Sequence, residues 1–193
     1  MTDNTRSAAF ATPTAPSGDS FLNVTASTYT QVKSGSGVFT GLNVNTAGTT
    51  STAAFFDGTS AVVTMTLASP GVISWAGHPF VAGGAVRFET TGALPTGLTA
   101  GTTYYVSTVG LTANSFSVAD TKAHALAGTN TINTSGSQSG VHTGYDVTRP
   151  IGTFNTSAVA SLPAGLNGAA LTAGLIAVTA DGGAAADLTV YYR

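Results

Sequence analysis

This chain of 193 residues has a formal net charge of −2 and carries Asp, Glu, Lys or Arg at only 7% of its positions, against about 25% in an ordinary soluble domain. Its cations, Arg6, Lys33, Arg87, Lys122, Arg149 and Arg193, are scattered, which excludes a nucleic-acid binder built on clustered positive charge. It has no cysteine, so disulfides, thiolate metal sites and a cysteine nucleophile are excluded too.

Residues 1–20, rich in Thr, Ala, Pro and Ser and broken by Pro13 and Pro16, read as an arm ordered only by a partner. They lack a basic start followed by an apolar stretch, so no secretory signal is expected. No run of the chain approaches the ~18 apolar residues of a membrane span. Synthesis in the cytoplasm and release inside a particle is the expected route.

From Phe21 onward, short runs of β-branched and aromatic residues alternate with Gly, Asn and Asp. Phe21 to Lys33 holds Val24, Thr28, Tyr29 and Val32 and stops at Ser34-Gly35-Ser36-Gly37. Val38 to Asn45 alternates, which puts Val38, Thr40, Leu42 and Val44 on one face. Thr50 to Phe56 follows as a strand closed by the turn pair Asp57-Gly58, giving a β-meander. Helical spacing is absent throughout.

A different texture begins at Val62. Short strands are expected at Val62–Leu67, Gly71–Trp75, Ala85–Thr90, Thr102–Thr108 and Ser115–Ala119, before a Gly/Ser/Thr/Asn-rich stretch from Ala127 to Thr143. Trp75, Phe80, Phe88 and Phe116 suffice for a separate small core. Strands resume at Ile151–Phe154, Gly174–Thr179 and Leu188–Tyr192, with loops at Leu162–Gly165 and Asp181–Gly183. In the last strand Leu188, Val190 and Tyr192 share one face, the mark of a sheet with one buried side. The expected architecture is all-β: a jelly-roll-like β-sandwich from residues 21–61 and 145–193, with a second small β-module, 62–144, projecting from a hairpin loop.

Chemistry finds few candidates. The three histidines, His78, His124 and His142, recur at no metal-ligand spacing. Glu89 is the only glutamate, and Asp57 and Asp181 each precede a Gly, as turn residues do. There is no G-x-S-x-G elbow, and Gly35-Ser36-Gly37 and Gly182-Gly183 lack the Lys and helix of a phosphate loop. No enzyme, catalytic residue, metal or cofactor is expected. Trp75 and Tyr105 are the candidate contacts for a carbohydrate, as aromatics beside hydroxyl-rich loops.

Ile73-Ser74-Trp75 through His78, the run Thr91-Gly92-Ala93-Leu94-Pro95-Thr96-Gly97-Leu98-Thr99-Ala100-Gly101-Thr102-Thr103-Tyr104-Tyr105-Val106, and Asn133 to Thr143 together resemble a module recurrent in tailed-bacteriophage virion proteins. The remainder, through Tyr29 to Gly37, Asn43 to Gly58 and Ala185 to Arg193, is similar to small phage head or tail β-proteins. The resemblance covers most of the chain after residue 27. It implies a non-enzymatic virion structural protein, first a capsid decoration or cement protein on the major capsid lattice. The alternatives are a tail, collar or fibre component and a host-glycan-binding adhesion protein. The implied partners are other virion proteins and copies of the chain, with a trimer as the expected homo-oligomer.

Overall fold

The computed structural model describes residues 19–25, 28–49, 52–158, 160–162, 168–179 and 184–193. Residues 1–18 of the arm, the Pro163–Gly165 part of one expected loop and the Asp181 turn lie outside them. Ser20, read as arm, already opens the first strand.

The chain is almost entirely β. Before the module come β1 (Ser20–Val24), β2 (Thr30–Ser34), β3 (Gly37–Thr46) and β4 (Thr52–Asp57). The module holds β5 (Ser60–Met65), β6 (Ile73–Ser74), β7 (Ala85–Thr90), β8 (Tyr104–Val106), β9 (Ser115–Phe116), β10 (Val118–Ala119), α1 (Lys122–Ala127) and β11 (His142–Asp146). After it come β12 (Pro150–Asn155), β13 (Ala160–Leu162), β14 (Ala169–Leu171), β15 (Gly174–Thr179) and β16 (Asp187–Tyr192).

Two antiparallel sheets form the sandwich. One is ordered β1-β16-β3-β13, with β14 also on β3; the other is ordered β12-β4-β15-β2. Since β13 and β14 meet β3 at Leu42–Val44 and Gly37–Phe39, they share one strand position. The chain crosses between sheets at nearly every turn, which is jelly-roll connectivity and not the meander that the turn spacing suggested. Turn residues report that the chain reverses, but not which sheet it reverses into.

The sandwich core joins Val24, Phe39, Leu42, Val44, Leu188 and Val190 of the first sheet to Val32, Ala53, Phe55, Leu175 and Ala177 of the second. Phe39 stacks on Phe55 at 5.0 Å, and Phe154 meets Phe55 edge-on at 5.6 Å. Inside β3 the expected face changes. The register of β16 shifts between Tyr191 opposite Gly41 and Tyr192 opposite Phe39, so Thr40 is a bulge. Phe39, not Val38 and Thr40, therefore joins Leu42 and Val44 in the core.

The module is inserted between β4 and β12, which pair with one another. Its strands run β10-β8-β7-β11-β5-β6-β9, and β9 and β10 are two halves of the segment Ser115–Ala119. With Ser117 between them, the sheet is nearly closed around Ile73, Trp75, Phe80, Val86, Phe88, Val106, Phe116 and Val118. Among the described residues, one helix breaks the all-strand expectation. Thr121 caps it by accepting from the His124 N–H at 3.2 Å, and Gly128 ends it at φ 67°. A six-residue helix is too short to display the 3.6-residue period.

The module is seated on the sandwich. The outer face of β15 presents Ile176 and Val178, which cluster with Tyr29, Phe56 and Ala54 from the sandwich and with Ala85, Tyr145 and Val147. Arg87 donates to the Tyr29 hydroxyl and lies over its ring, 5.1 Å from the centroid. Thus β15 is buried on both faces, as its uninterrupted apolar run Leu175–Val178 requires.

Candidate functional site

The two connections to the module converge on one carboxylate. Asp57, at the end of β4, accepts from the backbone N–H groups of Thr172, Ala173 and Gly174 at 2.9–3.2 Å and from the Thr172 hydroxyl at 2.8 Å. Arg149, at the return connection, lies 3.5 Å from the same carboxylate and donates to the Asp57 carbonyl at 3.1 Å. Burial pushes the carboxyl up, but the bonds from Ala173, Thr172 and Gly174 outweigh it, and Asp57 titrates below its ordinary range. Asp146, at the other end of the junction, goes the opposite way. Burial raises it, and the hydrogen bonds from Thr148 and the charge of Arg149 do not offset the loss of water. Asp57 is thus a structural anchor and not the simple turn residue its Gly neighbour implied.

The histidines each serve local structure. His78 Nδ1 accepts from the Phe80 N–H at 3.3 Å, and its ring meets Phe116 edge-on at 5.0 Å. His124 pairs with Asp120 at 2.6 Å. His142 is buried, hydrogen-bonded to the Thr90 hydroxyl at 2.9 Å and to the Gln138 side-chain oxygen at 3.1 Å. Among the described residues, no group of three or more His, Cys, Asp or Glu could hold a metal ion.

The aromatic platform expected of Trp75 and Tyr105 is not assembled. Trp75 is only 4% exposed, edge-on to Phe80 at 5.2 Å inside the module. It follows Ile73 by two positions and shares the inward direction of that buried residue. Tyr105 faces outward from β8, half-buried, while Tyr104 beside it points into the core. The two candidates therefore lie on opposite sides of the sheet wall.

What the outer wall does assemble is a row that sequence reasoning did not single out. On β7, Arg87 and Glu89 alternate with the buried Val86 and Phe88. Thr103 lies one pair beyond the Val86–Tyr104 pair, opposite Arg87, and accepts from Arg87 Nε at 2.6 Å. On β11, Thr143 sits opposite Glu89 and Tyr145 opposite Arg87. A cleft of about 190 Å³ is lined by Thr28, Glu89, Thr90, Thr91, Val141, Thr143 and Tyr145. Burial raises the Glu89 carboxyl, only partly offset by Arg87, and raises the Tyr145 phenol, with the Glu89 charge adding to it. The period-2 pattern of Ala85–Thr90 carried this signal, since it sets Arg87 and Glu89 on one face.

A second surface lies on the sandwich. The outer face of the five-stranded sheet carries Phe21 and Asn23 on β1, Thr189 and Tyr191 on β16, and Asn43 and Asn45 on β3. Asn45 donates to Thr189 Oγ1 at 2.8 Å and to Asn23 Oδ1 at 3.3 Å, while Asn43 donates to the Tyr191 hydroxyl at 3.1 Å. Phe21, tilted against Tyr191 at 6.3 Å, remains 59% exposed. Asn45 also donates to the Asp187 carboxylate at 3.1 Å, and Thr189 and Tyr191 are themselves buried, so the open part of this face is a ladder of amides with one hydrogen-bonded carboxylate and one apolar side chain standing on it.

Comparison of the chain with protein-family models, with curated proteins and with solved structures finds no match in any of the three.

Proposed function

We propose that this chain is a non-enzymatic structural protein of a tailed-bacteriophage virion, a decoration or cement protein held on the major capsid lattice by the outer face of its five-stranded sheet. The observation that carries the reading is the unequal use of the two sandwich faces. The four-stranded sheet gives its outer face to the module through Ile176, Val178 and Phe56. The five-stranded sheet keeps an amide-rich face, with Asn23, Asn43 and Asn45 beside the buried Thr189 and Tyr191, the Asp187 carboxylate held by Asn45, and Phe21 exposed. Docking it against another protein desolvates mainly amides, and the one carboxylate, Asp187, already accepts from Asn45, which lowers the cost of covering it.

Geometry at the sandwich end supports the same assembly. Ser20 pairs with Tyr192, Tyr192 with Phe39, and Leu175 with Asp57, so β1 begins at the end from which the module is rooted. We assign the arm read in residues 1–20 to a neighbouring subunit at that end of the sandwich. Many such attachments on one lattice reinforce each other, so a modest interface per copy is enough. A homotrimer is the closed symmetry we assign to the assembly.

Quantitative gel densitometry of purified particles is the test. A lattice-bound protein gives on the order of hundreds of copies per particle, whereas a closed ring or fibre in the tail or collar gives roughly six to a few dozen. Absence of the chain from the particles overturns the proposal.

A further inference from the structure

The polar cleft on the outer wall of the module has chemistry that capsid attachment does not use. Four of its seven lining residues are threonines, Thr28, Thr90, Thr91 and Thr143, and the others include one carboxylate and one phenol. Thr90 and Thr91 are engaged: the first bonds His142, the second accepts from the Val141 N–H at 2.9 Å. Among the described residues, the Glu89 carboxylate, the Thr143 hydroxyl and the Tyr145 phenol have no hydrogen-bond partner. Three unengaged polar groups of different kinds thus converge on one half-buried hollow.

We propose that this cleft binds a neutral saccharide, with the two Glu89 oxygens accepting from adjacent sugar hydroxyls while Thr143 and Tyr145 complete the polar contacts. A carboxylate accepts only, and a hydroxyl both donates and accepts, so the three groups complement a vicinal diol. A metal cation would need several more oxygen ligands, and no second acid lies in the cleft. An amine is disfavoured by Arg87, which projects from the same face of β7 two residues from Glu89. An acidic sugar is disfavoured by Glu89 itself. The remaining class is a neutral polyol ring.

Size sets the number of rings. At about 190 Å³ the cleft lies below the ~300–1,000 Å³ of sites for drug-sized ligands and fits one ring. Val141, 50% exposed, is a wall of this cleft and of a neighbouring one of about 310 Å³ that also has Val62, Val63, Thr64 and Met65 in its lining. A second ring crossing Val141 would lay its C–H face on Val62 and Val141, a contact that favours a disaccharide over its monosaccharide.

The experiment is ligand-observed saturation-transfer NMR on the full chain. The probes are methyl glycosides of glucose, galactose, mannose and rhamnose, their disaccharides, and methyl glucuronide and calcium as charged controls. The inference expects at least one neutral glycoside to bind with a dissociation constant on the order of millimolar. Glu89→Gln and Thr143→Val should each weaken it roughly tenfold or more, with unchanged melting curves. Val141→Asp should remove the advantage of the disaccharide and spare the monosaccharide. Binding by none of the neutral glycosides, equal binding by wild type and both cleft variants, or binding confined to glucuronide or calcium overturns it. The readout uses the isolated chain and particle attachment is read on virions, so either proposal can fail without the other.

Discussion

At the scale of single residues, the junction aspartates make opposite contributions to stability. Asp57 has its carboxyl held below the ordinary value of 3.8, so the charged form is favoured in the fold. Its contribution is present above that value and is lost as pH falls through the lower, folded pKa. Asp146 is raised above 3.8, so its contribution is favourable only in acid and becomes a penalty as pH rises through its folded pKa. Asp57→Asn should therefore cost roughly 1.5–3 kcal/mol at neutral pH, the worth of hydrogen bonds to a charged group, and the difference should shrink towards pH 2. Asp146→Asn keeps an oxygen for the Thr148 N–H and should raise stability at neutral pH with no gain in acid. Urea titrations between pH 2 and pH 7 read both signs. The role of Asp57 was not legible in the sequence, because Asp-Gly looks the same whether the carboxylate turns to solvent or holds three amides of a distant loop.

At the scale of elements, the alternation patterns placed strands well and contacts poorly. Ala85–Thr90 and Gly174–Thr179 fall where their residue patterns put them. The bulge at Thr40 and the inward turn of Trp75 depend on partner strands far away in the chain, so local pattern could not supply them. Trp75 shows how tight those partners are. It lies over Gly144 of β11, and a Cβ there would come 2.7 Å from its ring. Gly144→Ala should destabilise the chain by about 1–3 kcal/mol through overpacking, seen as a lower denaturation midpoint, with tryptophan fluorescence reporting the disturbed ring. Gly128 is the comparable case at the helix end, where φ 67° favours glycine.

At the scale of the whole molecule, two hydrophobic cores are joined by a third cluster that seats the module on the sandwich. Arg87 and Tyr29 are its polar part. A double-mutant cycle with Arg87→Ala and Tyr29→Phe, which removes the hydroxyl and keeps the ring, should give a coupling of about 1 kcal/mol, and a coupling near zero would mean that the hydrogen bond adds nothing. Replacing residues 60–146 by a short turn should leave a folded sandwich that associates with rising concentration, because Phe56, Ile176 and Val178 lose their cover. Sedimentation velocity reads that outcome. The unbroken apolar run Leu175–Val178 carried this signal in the sequence, since a strand with one wet face would alternate. The most direct measurement of the central claim is a density map of the intact particle at side-chain resolution. The expected result is this sandwich in repeated copies, with Phe21, Asn23 and Asn45 against the major capsid subunits and the module turned away from them. Particles without its density, or copies seated on the lattice through the module, would contradict it.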